Sequence, residues 1–210
     1  MKIFWNKLAD LFFPDADRCP FCNREGGFCE TCRTELKKQR IEDDIAVFQY
    51  DGIVRDLIHR LKFGGQAYLA SPMADLMEEA LNLRGDIITC VPLHPIRRRE
   101  RGYNQSELIA KRLSELTSIP YSPLLIKIRN TPPQSTLKSH AERLDNIHGA
   151  FQLKDDPDLS GKHILLADDV FTTGATAEEC TALLKSAGAA SVRVITFSKG
   201  GTSWLPQEPC

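Results

Sequence analysis

Ile164-Leu165-Leu166-Ala167-Asp168-Asp169-Val170-Phe171-Thr172-Thr173-Gly174-Ala175-Thr176 is the stretch whose reading decides the fold. Its opening apolar run suits a short buried strand. Two adjacent carboxylates follow, then a turn rich in threonine and glycine. Beyond the turn, Cys180, Leu183, Leu184 and Ala187 recur at helical spacing up to Gly188. Strand, acid pair, turn and helix in that order make an anion cradle. Backbone N–H groups at a helix start lack intrahelical partners and carry partial positive charge. Threonine hydroxyls add donors, and Gly174 lets backbone approach a ligand closely. Two carboxylates beside an anion site call for a ligand that also brings donors. Ribose hydroxyls do so, and magnesium is the other natural partner. A sugar phosphate satisfies both halves. Neither G-x-x-x-x-G-K-[ST] nor G-x-G-x-x-G occurs in the chain. A solvated acidic turn is the competing reading; Asp-Asp alone would suit it, but the four features in register do not.

Around this stretch, strands and helices alternate. Strands are expected at Ile45–Tyr50, Asp86–Val91, Lys162–Ala167 and Ser191–Phe197, with a further apolar run at Leu124–Ile128. Val54, Leu57, Ile58 and Leu61 predict a helix over Gly52–Phe63, ended by Gly64-Gly65. Ser71-Pro72 reads as an N-cap with a first-turn proline before Met73, Leu76, Met77 and Ala80. Asn104 and Glu107 have the spacing of a capping box for the helix carrying Ile109, Leu113 and Leu116. Asn130–His148 reads as a long polar loop with a short helix near Ala141–Asn146. The alternation implies βαβ units and a mostly parallel sheet, with ligands beyond the carboxyl ends of the strands.

The loop after Val91 is one such place. His94-Pro95-Ile96-Arg97-Arg98-Arg99-Glu100-Arg101 packs four arginines into five residues. Guanidinium groups grip phosphate oxygens bidentately, and a cluster suits a diphosphate. The competing reading is a solvated basic turn.

Cys19-x₂-Cys22-x₆-Cys29-x₂-Cys32 gives two knuckles at structural-zinc spacing, with Gly26-Gly27 in the reversal between them. Four thiolates close a tetrahedral site, so the metal is expected to be structural. Seven cysteines, one tight cluster and three scattered, suit metal binding in a reducing cytoplasm better than a disulfide framework. Cys90 and Cys180 fall on core faces. The expected division is an N-terminal helix with a zinc module over residues 1–40, a body over 45–200 and a tail over 201–210, with the boundary in the polar stretch Arg33–Asp44. Hydrophobic residues make up 42% and charged residues 26%, an ordinary globular composition. A net charge of −1 excludes a whole-molecule field that would draw in nucleic acid or membrane. Lys7 and Asp10 interrupt the apolar start, so Ile3, Leu8, Leu11 and Phe12 suit a docked amphipathic helix better than a signal peptide. No run reaches the length of a membrane span.

The Ile164–Thr176 stretch resembles the thirteen-residue signature of type I phosphoribosyltransferases. The block ending Arg101-Gly102-Tyr103-Asn104-Gln105, together with Gln134, Leu137, Arg143, Asn146, Gly149-Ala150-Phe151 and the cysteine module, resembles the ComF competence family. The resemblance implies a type I phosphoribosyltransferase-like α/β fold, with a parallel sheet flanked by helices and a small four-cysteine zinc module ahead of it. It implies phosphoribosyl diphosphate as ligand, with Mg²⁺ accompanying it, and a role in DNA uptake during natural transformation. By motif position, Asp168 and Asp169 are the catalytic pair that holds the ribose, and Thr172, Thr173, Gly174, Ala175 and Thr176 hold the 5′-phosphate. His94, Arg97, Arg98 and Arg101 are candidates for the diphosphate, and Lys138 and Arg143 for a hood over the site. Thr172 stands where purine-salvage members often carry an acid that serves the base nitrogen, which speaks against purine salvage. Two functions are compatible with this pattern. One is transfer of ribose 5-phosphate to an unidentified acceptor. The other is a non-enzymatic adaptor that senses phosphoribosyl diphosphate or binds single-stranded DNA beside a competence helicase.

Overall fold

The computed structural model describes residues 18–25, 28–131 and 146–200. The expected N-terminal helix, Gly26-Gly27, the hood residues Lys138 and Arg143, the short helix as far as residue 145 and the tail lie outside the described residues. In chain order the elements are α1 (Glu30–Lys38), β1 (Ala46–Gln49), α2 (Gly52–Phe63), α3 (Ala70–Ala80), β2 (Ile87–Cys90), α4 (Pro95–Arg101), α5 (Gln105–Thr117), β3 (Leu125–Lys127), β4 (Phe151–Leu153), β5 (His163–Phe171), α6 (Ala175–Ser186) and β6 (Ser191–Lys199).

Four strands form a parallel sheet in the order β1-β6-β5-β2. Helical crossovers between parallel strands cover both faces, so the central strands are apolar on both sides. Leu165, Ala167, Ile195 and Phe197 pack with Leu57 and Leu61 of α2, Met73 and Met77 of α3 and Ile109 and Leu113 of α5. Ile164 and Leu166 pack on the other face with Cys180 and Leu184 of α6 and Phe151 of β4. Cys90 and Cys180 are both buried in these two clusters, as core residues should be.

Several local outcomes differ from the sequence reading. α3 starts at Ala70, after a 3₁₀ turn over Ala67–Leu69, with Leu69 rather than Ser71 at the N-cap. Pro72 is tolerated in this first turn because the N–H it lacks would have no intrahelical partner. Asn104 does cap α5, accepting from the Ser106 N–H at 3.2 Å. Glu107 does not reach back to complete a capping box. It pairs instead with Arg98 at 2.9 Å and Lys111 at 2.7 Å, two charged partners in place of one neutral N–H. The arginine-rich segment is a helix, α4, and not a loop. Pro95 opens it, the His94 ring nitrogen accepts from the Ile96 N–H at 3.3 Å, and Gly102 closes it at φ 87°. β5 runs through Phe171 because β6 continues alongside, pairing Asp168 with Thr196 and Val170 with Ser198. The carboxylates therefore lie within the last residues of the strand. β3 pairs antiparallel with β4 in a separate two-stranded sheet, which the parallel expectation did not include.

The polar stretch expected to hold the boundary is structured. α1 takes up Arg33–Lys38, and the next residues pair along β1: Gln49 N–H donates to Gln39 O at 2.7 Å and Ile41 N–H to Val47 O at 3.0 Å. Cys19, Phe21, Cys32 and Leu36 are buried in the same apolar cluster as α2 and α3. An Arg60 guanidinium donates to the Phe21 carbonyl, tying the cysteine segment to α2.

Candidate functional site

The carboxyl ends of β2, β5 and β6 surround a cavity of about 560 Å³. A second hollow of about 370 Å³, between Arg40–Asp43 and Ala80–Leu81, is remote from the acid pair and the glycine turn.

Asp168 and Asp169 both line the larger cavity. Successive strand residues point to opposite faces, so the two carboxylates meet different neighbours. Asp169 is buried at 1% exposure. Lys62 Nζ lies 2.6 Å from its Oδ2, and Gln105 Nε2 donates to its Oδ1 at 3.2 Å. Asp168 is partly open to the cavity; its Oδ1 accepts from Ser106 Oγ at 2.7 Å and from the Asp169 N–H at 2.9 Å. The pair splits electrostatically. Burial, and then the adjacent Asp169 charge, push Asp168 up to about 7, against the pull of Lys62 and Ser106. Burial acts to raise Asp169 as well, but the Lys62 ammonium and the hydrogen bonds from Lys62 and Gln105 outweigh it and hold Asp169 below the ordinary carboxylate range.

Thr172, Gly174, Thr176 and Ala177 form another part of the lining. Gly174 is left-handed at φ 86° and occupies the N-cap of α6, where it offers no side chain to the helix start. The N-terminus of α6 thus opens on the cavity beside the acid pair, an arrangement suited to an anion. Thr173 and Ala175 complete the turn but are not part of the lining.

Of the clustered arginines, only Arg101 lines the cavity. Its guanidinium donates to the Gln105 side chain and sits 5.5 Å above the Phe63 ring. Arg97 pairs with Glu100 at 3.1 Å, Arg98 pairs with Glu107, and Arg99 is exposed. His94 serves as the cap of α4. Lys127, on β3, is a further cation in the lining, pushed below its usual range by burial. Lys62, Arg101 and Lys127 thus face Asp168 and Asp169 across one cavity.

A model of the phosphoribosyl transferase domain matches residues 99–210. The chain is 32% identical over 190 residues to the DNA utilization protein YhgH of Salmonella typhi, covering 84% of this chain and 81% of that one. It is 32% identical over 185 residues to the competence protein ComFC of Streptococcus pneumoniae, covering 87% and 80%. The chain belongs to the ComF-type phosphoribosyltransferase family. Among solved structures, the adenine phosphoribosyltransferase of Thermoanaerobacter pseudethanolicus aligns over 80% of this chain and 99% of that one, at 15% identity and a TM-score of 0.43.

The ComF-type chain also carries its cysteine cluster as a formed site. The four sulfur atoms of Cys19, Cys22, Cys29 and Cys32 lie within 4.8 Å of one another, with Cys22 and Cys29 3.5 Å apart. Zn–S bonds of about 2.3 Å in a tetrahedron place sulfur atoms ~3.8 Å apart, so the donor set fits zinc. Four thiols leave no open coordination position, which makes a structural ion the fitting occupant. The acid pair, by contrast, offers magnesium no cage of its own, because Lys62 and Gln105 already engage both oxygens of Asp169.

Sequence reading did not single out Lys62, Gln105 as a partner of Asp169, Ser106, Lys127 or Phe63. Gln105 and Ser106 follow directly on the Asn104 cap, a place that draws attention to capping and away from side-chain reach. Lys62 lies in the last turn of α2, where a lysine reads as a routine complement to the helix dipole.

Proposed function

We propose that the cavity binds phosphoribosyl diphosphate and that the protein transfers its ribose 5-phosphate to an acceptor in bacterial DNA uptake. The observation that carries this reading is the acid pair at the end of β5 running straight into the Gly174 turn and the open N-terminus of α6, all lining one cavity. Asp168 and Asp169 serve the ribose hydroxyls. The Thr172–Thr176 turn takes the 5′-phosphate. Arg101, Lys62 and Lys127 supply positive charge for the diphosphate, and His94, Arg97 and Arg98 stand next to that group in sequence. Magnesium arrives with the diphosphate, whose oxygens are its natural ligands. In the reaction the bond from C1′ to the diphosphate oxygen breaks and the bond from C1′ to the acceptor forms, with the acceptor losing a proton. The intervening state has oxocarbenium character and needs no protein nucleophile; holding the ribose, balancing the leaving charge and excluding water are the protein's share. The names of the relatives, a DNA utilization protein and a competence protein, support the assignment to DNA uptake. The thiol cluster suits a reducing compartment, hence the cytoplasm.

One observation favours a second reading. Arg97, Arg98 and Arg99 are not in the cavity lining; Arg99 is exposed and Arg97 and Arg98 hold intramolecular ion pairs at the surface that a phosphate backbone could exchange. In that reading the protein is an adaptor: the arginine helix meets the phosphate backbone of single-stranded DNA, a competence helicase is the protein partner, and phosphoribosyl diphosphate is sensed without being consumed. Calorimetry with magnesium and phosphoribosyl diphosphate tests the first step common to both readings. Diphosphate release, measured with and without single-stranded DNA, separates them. Absence of calorimetric binding refutes the ribose-phosphate site; release stimulated by single-stranded DNA supports transfer, and binding without release in either condition overturns transfer to water or to DNA and favours the adaptor.

A further inference from the structure

The phosphoribosyl transferase match begins at residue 99, yet the ammonium seated on the acid pair comes from residue 62. Asp169 is a buried carboxylate, and a buried charge persists only when paired and hydrogen-bonded. Both of its oxygens are engaged, Oδ2 by Lys62 at 2.6 Å and Oδ1 by Gln105 at 3.2 Å. Asp168 uses its Oδ1 on Ser106 and the Asp169 N–H, and remains partly open to the cavity. The two acids of the signature are therefore not equivalent.

We propose that Lys62 is the positioning residue of this site: it clamps Asp169 as a carboxylate against Gln105 and leaves Asp168 as the acid that meets the ligand's hydroxyls. The proposal rests on the reading of the cavity as a ribose-phosphate site. It makes the β1–α2 unit, outside the matched domain, part of the binding machinery. Tyr50, just after β1, and Lys62 with Phe63, at the C-terminal end of α2, line the cavity, so this unit meets it both before the helix and at its end. The charged groups facing the pair are Lys62 from α2, Arg101 from α4 and Lys127 from β3. Lys62 alone makes an ion pair with it among the described residues. Without Lys62, the two neighbouring carboxylates would hold their proton to higher pH than in the wild type, and the form with both acids ionised would appear only there.

The test uses the full chain with Lys62→Met, Lys62→Arg, Asp169→Asn and the Lys62→Met/Asp169→Asn pair. Two readouts are taken: carbon NMR titration of the aspartate carboxyls in the free protein, and calorimetry with magnesium and phosphoribosyl diphosphate from pH 5.5 to pH 8.5, a range spanning roughly the raised value of Asp168. Lys62→Met is expected to move the carboxyl titration upward by about one unit or more. Binding at neutral pH should weaken about tenfold or more, with partial recovery at high pH as both acids ionise. Lys62→Arg keeps the charge and should restore most of the affinity. The double variant buries no unpaired charge, so it should be better folded than Lys62→Met and less impaired than the two single losses combined. Superimposable titrations and binding profiles for the wild type and Lys62→Met would overturn the proposal. If the wild type fails to bind phosphoribosyl diphosphate at all, the ribose reading is what fails. The carboxyl titration then decides Lys62 alone: an Asp169 that titrates identically in the wild type and in Lys62→Met sinks the clamp.

Discussion

Replacing Gly174 by alanine probes the turn on which the binding reading depends. Gly174 sits at φ 86°, and a Cβ built there would lie 3.0 Å from Phe171 Cζ and 3.3 Å from Glu178 Oε1. A left-handed L-residue costs about 1–2 kcal/mol. Phe171 is nearly buried at 7% exposure, so its ring yields reluctantly, and forcing a methyl into a packed neighbour adds roughly 1–2 kcal/mol. Gly174→Ala should therefore lower unfolding stability by about 2–4 kcal/mol in urea denaturation. Gly188 supplies a control. It is also left-handed, at φ 93°, and its added Cβ would meet Ser160 Cα and N at 3.2 Å, but it is not part of the cavity lining. Gly188→Ala should lose stability on a similar scale and keep its ligand. In Gly174→Ala the turn must shift by a few tenths of an ångström, which misaligns several backbone donors together, so affinity for phosphoribosyl diphosphate should fall about tenfold beyond the control. Equal affinities for the two folded variants in calorimetry would refute the reasoning: the Gly174 turn would then be a strained connection and not the anion cradle.

Two further predictions concern the metal and the proton. The purified protein should carry about one zinc per chain, and Cys22→Ser should abolish it; because Cys19 and Cys32 are buried with α2 and α3, zinc loss should lower the melting temperature of the whole chain, a result read by metal analysis and calorimetric melting and contradicted by full zinc retention in the variant. Asp168, raised to about 7 from 3.8, keeps its proton in the folded state over that window, so its contribution to stability falls as pH rises from 3.8 to 7; Asp168→Asn should remove that fall and gain up to about 4 kcal/mol relative to the wild type at pH values above roughly 7, as checked by paired denaturation curves, and parallel pH profiles would contradict it.

The parallel sheet was legible because its strands are short apolar runs and its helices carry clean 3.6-residue spacing. Gly52–Phe63 was bounded correctly from Val54, Leu57, Ile58 and Leu61, since all four face one core. The failures have physical causes as well. β4, Phe151–Leu153, is too short to display an alternation, and its pairing with β3 spans a long connection that local sequence does not report. α4 was hidden by its arginines. Four arginines within five residues read as a phosphate-gripping loop, yet Pro95 and the His94 ring start a helix, and Glu100 and Glu107 pair with two of the arginines along it.

For the site, sequence order and spatial arrangement part ways at Lys62. The signature acids are adjacent in the chain, and adjacency suggests a matched pair. A strand turns adjacent side chains to opposite faces, so Asp168 and Asp169 enter different surroundings, one beside a serine hydroxyl and one beneath an ammonium. The difference between them is then set by residues far apart in sequence: Ser106 is 62 positions from Asp168, and Gln105 is 64 from Asp169. A motif records which groups reach the ligand side of the sheet. Which of them is charged there depends on burial and on neighbours delivered by other elements, and that is why the sequence pointed to the acid pair but not to the different surroundings of its two members.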